Sequence, residues 1–158
     1  MSLPDTNTII YKYLVPTVTP GAFSGDPRLA LIALVGARIY CPRLPENAVL
    51  PAIGFFTRGG VSTPYIPDMP SPSVQFDCWA KDVEVGGVIT TRGSIIARQV
   101  YRALYDALQG IQNVTVTIGA VTYKIKSARE EVQGQDLIDT EIQNYFRVLT
   151  FFEIIVST

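Results

Sequence analysis

Residues 93–109 carry the pattern that most restricts the fold. Ile96, Val100, Ala103, Leu104, Ala107 and Leu108 recur at three- and four-residue spacing, while Arg98, Arg102 and Asp106 fall on another stripe. That spacing makes an amphipathic helix, which must lay its apolar side on a partner. Gly110 stands where a C-terminal cap belongs. Immediately afterwards, 114–118 and 121–125 alternate Val, Thr, Tyr, Lys and Ile around Gly119-Ala120, the signature of a tight β-hairpin. A helix followed at once by an antiparallel ribbon calls for layers, with helices covering one face of a sheet.

The rest of the chain supplies the other layers. Ile9, Ile10, Tyr13 and Leu14 lie at helical spacing behind Asp5 or Thr6 as cap, predicting a short helix over 5–15. Pro16 and Pro20 end it. Asp26-Pro27 opens a second helix with Leu29, Ile32, Ala33 and Leu34 as its apolar side and Gly36 as its stop. Residues 37–40 are too short to assign, and Pro42 and Pro45 make 41–50 irregular. A strand is expected over 51–57, and another where Val74, Phe76, Cys78 and Ala80 alternate with Gln75, Asp77 and Trp79. Pro64, Pro67, Pro70 and Pro72 lie between them and exclude regular structure over 58–73. Residues 129–141 carry five acids against Arg129 and read as a solvent-exposed loop, and 145–156 form a long closing strand. The expectation is an α+β fold over residues 1–158 as a single domain. It has one antiparallel or mixed sheet of about five strands packed against two or three helices, and a long proline-rich loop at 58–73.

Composition narrows the function. With no histidine, Ser-His-Asp and Cys-His catalysis and His-ligated metal sites are excluded. Two cysteines, Cys41 and Cys78, cannot build a four-thiolate site and are expected as reduced, buried thiols. A net charge of −1 does not suit a nucleic-acid binder. No secretory signal or membrane span is legible, so the chain is expected to be soluble and made inside a cell. Only 17% of residues are charged, against about 25% in ordinary soluble domains, which suits a chain that hides surface against partners.

No nucleotide-binding, nucleophile-elbow or Cys-x-x-Cys motif occurs, so no catalytic, cofactor-binding or metal residue is assigned and the chain is expected not to be an enzyme. Asp77, Asp82 and Glu84 offer carboxylates for acid–base work, but read better as polar positions on a strand and its exit turn. Arg98 and Arg102 read as a solvated helix face with a weak Arg102–Asp106 contact. Trp79, Tyr145, Phe146, Phe151 and Phe152 are expected in the core. The 58–73 segment has apolar Tyr65, Ile66 and Met69 on a proline-stiffened chain, a form that loses little entropy on docking to a partner, the alternative being that it folds back over its own sheet.

The order of these elements, with the runs Gly36-Ala-Arg-Ile-Tyr40 and Phe76-Asp-Cys-Trp79, resembles the tail terminator family of tailed bacteriophages, also called tail-completion or tail-to-head joining proteins. The resemblance covers approximately residues 5–156 and departs from the family pattern around 19–26 and at the long 58–73 segment. It implies a non-enzymatic virion protein forming a homo-hexameric ring that caps the tail tube, stops its polymerisation and meets the head connector protein. DNA would pass through the lumen without specific binding, and no membrane is involved. The virion would be assembled in the bacterial host cytoplasm. On this reading Tyr65, Ile66 and Met69 contact a neighbouring subunit or the tail tube protein. Glu130, Glu131, Asp136 and Asp139 face the lumen, where negative charge would repel DNA phosphates. Another ring protein of a phage neck or contractile device, or a small cytoplasmic enzyme or ligand-binding module, are the alternatives.

Overall fold

The computed structural model describes residues 5–16, 25–61, 69–138 and 145–158. Helix α1 (Thr6–Leu14) begins at Asp5, whose carboxylate accepts the Asn7 amide at 3.2 Å and the Thr8 hydroxyl at 2.6 Å. The expected stripe of Ile9, Ile10, Tyr13 and Leu14 is the buried one. Helix α2 (Leu29–Val35) starts after Asp26, which accepts the Arg28 amide at 2.8 Å. Its buried residues are Leu31 and Val35, not the expected Leu29, Ile32, Ala33 and Leu34. A seven-residue helix made only of apolar side chains has no polar face to reveal its orientation.

Strands β1 (Ile39–Tyr40), β2 (Ala52–Val61), β3 (Ser71–Lys81), β6 (Gln112–Ile118), β7 (Val121–Ile138) and β8 (Tyr145–Ser157) form one sheet in the order β1-β2-β3-β8-β7-β6. Only β1–β2 is parallel, so the sheet is mixed. A second sheet is the small hairpin β4 (Val83–Val85) and β5 (Val88–Thr91). Helix α3 (Gly93–Leu108) packs on β3, β8 and β7, with α2 against α3 and α1 near β6, β1 and β2. The α+β fold is as expected, with six strands in the main sheet.

The core lies between the helices and the inward row of each central strand. Phe55 of β2 stacks on Phe76 of β3 at 5.6 Å, and Phe152 of β8 meets Phe76 edge-on at 5.8 Å. All three are fully buried, each worth about 1.5–3 kcal/mol in removed apolar surface. Helix ends are tied in by long side chains. Tyr13 donates its hydroxyl to the Ala107 carbonyl in the last turn of α3 at 2.6 Å, and Arg28 donates to the Tyr13 carbonyl at 2.8 Å. Arg38 donates to the Leu34 and Pro51 carbonyls, both at 2.9 Å. The Gly36-Ala-Arg-Ile-Tyr40 run thus ends α2, anchors it beside β2 and begins β1.

Two segments expected as loops are strand. Residues 58–61 continue β2 and 71–73 begin β3, so the proline-rich connection is shorter than 58–73. Pro72 is accommodated because it pairs with Gly60 beyond a register shift, one residue before the β3–β8 pairing starts at Ser73. Residues 129–138 are the second half of β7, paired with β8 as far as Ile138 and Phe146.

Candidate interaction surfaces

The two faces of the sheet differ in chemistry. Beneath α3, Glu130 accepts the Tyr101 hydroxyl at 2.6 Å and the Thr150 hydroxyl at 2.9 Å. The Gly134 amide donates back to the Tyr101 oxygen at 3.1 Å. Position 134 admits only glycine comfortably, since a Cβ there would lie 2.7 Å from the Tyr101 ring. Farther along, Asp136 pairs with Arg98 of α3 at 2.8 Å, beside a cavity of about 290 Å³ lined by Ser94, Ala97, Leu137 and Phe146. Burial, with help from the Glu130 contact, pushes the Tyr101 hydroxyl pKa up.

Among the described residues, no helix packs on the opposite face. Residues paired across antiparallel strands share a face, which places Gln75, Asp77 and Trp79 of β3 beside Phe151, Leu149 and Arg147 of β8. Arg58 lies over the Phe151 ring at 5.3 Å and Arg147 over Trp79 at 5.1 Å. Of the aromatic residues expected in the core, Phe152 is fully buried and Phe146 packs against the core. Trp79, Tyr145 and Phe151 are only half-buried, because strand alternation sends them to the open face.

The three carboxylates weighed for acid–base chemistry have separate employments. Asp77 is buried opposite Gly54, where the backbone of Arg43 and Leu44 approaches. Its burial raises the carboxyl pKa against the lowering effects of Arg147, 3.9 Å away, and Gln75. Asp82 accepts the Gly93 amide at 2.7 Å and so caps α3, whose preceding residue, Arg92, makes no side-chain cap bond. Glu84 is exposed on β4. The expected Arg102–Asp106 contact is present at 3.5 Å between exposed side chains. Cys78 is buried as expected, whereas Cys41 is exposed: it follows the last residue of β1 and enters the irregular 41–50 segment. Among the described residues, no group of three or more Cys, Asp or Glu is placed to hold a metal ion. An open groove of about 460 Å³ lies beside α1, lined by Asp5, Asn7, Thr8, Tyr11, Ile39 and Cys41 among others.

Of the residues singled out for partner contact, Met69 is half-buried at the entry to β3, while Tyr65 and Ile66 lie outside the described residues. Of the acidic set, Asp139 lies outside them as well. Glu130 and Asp136 engage α3, whereas Glu131 accepts the Ser73 hydroxyl at 2.9 Å on the open face. No one face of the sheet therefore presents all three.

Residues 83–91, to which the sequence pattern assigned no element, form the most exposed apolar cluster among the described residues. Gly86 and Gly87 both take positive φ, +61° and +81°, as a two-residue type I′ turn requires. Val85 and Val88 flank the turn at 66% and 65% exposure, with Val83 and Ile89 also exposed. Val-Glu-Val, Gly-Gly and Val-Ile-Thr-Thr in succession carry the hairpin signal in the sequence. What the sequence does not show is that neither face of the hairpin is covered.

The fold and these surfaces define an α+β domain with a mixed six-stranded sheet, one face under helices and one open, and a projecting apolar hairpin. No protein-family model matches the chain, and no curated protein matches it. Among the described residues no helix is long and apolar enough to cross a membrane.

Proposed function

We propose that this chain is a structural virion protein that forms a ring on the phage tail tube, ends tube polymerisation and joins the tail to the head connector. The observation that carries the reading is the concentration of exposed apolar side chains in one projecting device. Among the described residues, Val83, Val85, Val88 and Ile89 of the β4–β5 hairpin are four of the eight exposed large hydrophobic side chains. A ring subunit buries lateral and axial surfaces, so it can carry such a feature where a lone monomer would be prone to aggregate. Support also comes from the two short runs behind the tail-terminator resemblance. One is the α2–β1 junction tied by Arg38, and the other is the central stretch of β3.

On this reading the partners are further copies of the chain, the tail tube protein and the connector protein, and DNA passes through the ring without specific contact. Purified protein mixed with tail tubes and imaged in negative stain should decorate the head-proximal end alone. Decoration along the tube, at the distal end or nowhere would remove the proposal.

A further inference from the structure

Among the described residues, β6 and the β4–β5 hairpin each offer a strand edge that no further strand pairs, with α1 packed near β6. Strand β6 is the last strand of the main sheet, and its sequence Gln-Asn-Val-Thr-Val-Thr-Ile has neither a charge nor a proline, the usual protections of an edge. Thr115 and Thr117 are exposed along it. The β4–β5 hairpin is a two-stranded ribbon of three and four residues, a size that is marginal without further packing. Its strands pair only with each other in the sheet order.

The two edges cannot meet within one chain. The hairpin follows directly on Lys81, which pairs with Tyr145 at the start of β8. Strand β6 pairs with residues 121–127 of β7, and that part of β7 pairs with 155–157 at the other end of β8. Some ten residues of extended strand, roughly 35 Å, separate the two levels. Their charges are opposite. Residues 82–91 contain Asp82 and Glu84 and no basic residue; residues 110–128 contain Lys124 and Lys126 and no acidic one. Lys124 lies directly across from Thr115 of β6.

We infer that the β4–β5 hairpin of one copy docks along the β6 edge of a second copy, extending its sheet. Val85 and Val88 close against Thr115, Thr117 and Val121, and Glu84 faces Lys124. Because each copy offers both halves at opposite ends, the contact is head-to-tail, and it propagates into a closed ring or an open chain of copies. The inference names the subunit contact of the ring proposed above and rests on that reading only in taking copies of this chain as the partner.

The test uses the full chain with Cys41→Ser, leaving the buried Cys78 as the remaining native thiol. Val85→Cys and Thr117→Cys are made as separate variants and treated with a short bis-maleimide, with circular dichroism confirming that each is folded. A mixture of the two should give covalent dimers at least tenfold above either variant alone, and the double variant should give a ladder. Independently, Glu84→Lys and Lys124→Glu should each weaken self-association about tenfold by sedimentation, and the pair combined should recover most of it. Equal cross-linking of Val85→Cys with itself, or association unaffected by either charge reversal, overturns the contact. So does a wild-type chain that stays monomeric both in solution and with tail tubes present. Rings that form on tubes but ignore these substitutions would overturn the contact and keep the virion reading. Ladders and charge rescue without binding at tube ends would do the reverse.

Discussion

The stretches on either side of Gly93 are neighbours in sequence and opposites in packing. Behind it, α3 lies on the sheet with Val100, Leu104, Ala107 and Leu108 buried, and Tyr101 is locked to Glu130 and Gly134. Ahead of it, the β4–β5 hairpin buries none of its strand residues. Asp82 stands at the joint and caps α3 from the hairpin's base. The contrast teaches that the hairpin is attached to the fold without being part of its core. Its apolar side chains therefore contribute little to the monomer's stability and are free to serve association.

The largest effect is expected in the interior. Phe76→Ala removes the ring that contacts both Phe55 and Phe152 and should lower unfolding free energy by about 3–5 kcal/mol in urea titrations. A loss below about 1 kcal/mol would mean the core is not where it has been placed. Next is alkaline pH. Burial pushes the Tyr13 phenol up to about 12 from its ordinary 10.0, outweighing the lowering effect of Arg28. The fold favours the neutral phenol, so its contribution is complete below pH 10 and is lost as pH rises through about 12. The loss should be on the order of 2–3 kcal/mol, absent in Tyr13→Phe. Denaturation midpoints that fall equally in both proteins would contradict this.

Glu130→Ala strips the acceptor from Tyr101 and Thr150 and should cost about 1–3 kcal/mol, the penalty for hydroxyls left without their partner. If stability were unchanged, Glu130 would be an ordinary surface acid. The smallest effect belongs to the hairpin. Val85→Ser with Val88→Ser should change monomer stability by less than about 0.5 kcal/mol while abolishing the self-association inferred above for the wild type. A large destabilisation would place the hairpin inside the cooperative core and erase the contrast.

Legibility in the sequence followed the same division. Helices α1 and α3 were readable because each has a polar side that fixes the direction of its apolar stripe. The second half of β7 was not, because register shifts at Glu130/Val132 and Val132/Gln135 break the alternation that marks a strand. Its acids, read as one solvated segment, fall on both faces of the sheet, Glu130 and Asp136 toward α3 and Glu131 toward the other side. Trp79 and Phe151 show the complementary difficulty: composition marks them as core residues, but position on alternating strands turns them outward. For the hairpin, the turn residues were in plain view at Gly86-Gly87. Its lack of packing on either face is a property of the assembled fold, which no local pattern records.

Hydrogen exchange on dilute monomer and on the associated protein tests the central claim most directly. Amides of 83–91 should exchange rapidly in the monomer while those of β3 and β8 are protected, and should gain protection on association together with β6. Hairpin amides as protected as β3 in the monomer, or unchanged when copies associate, would contradict it.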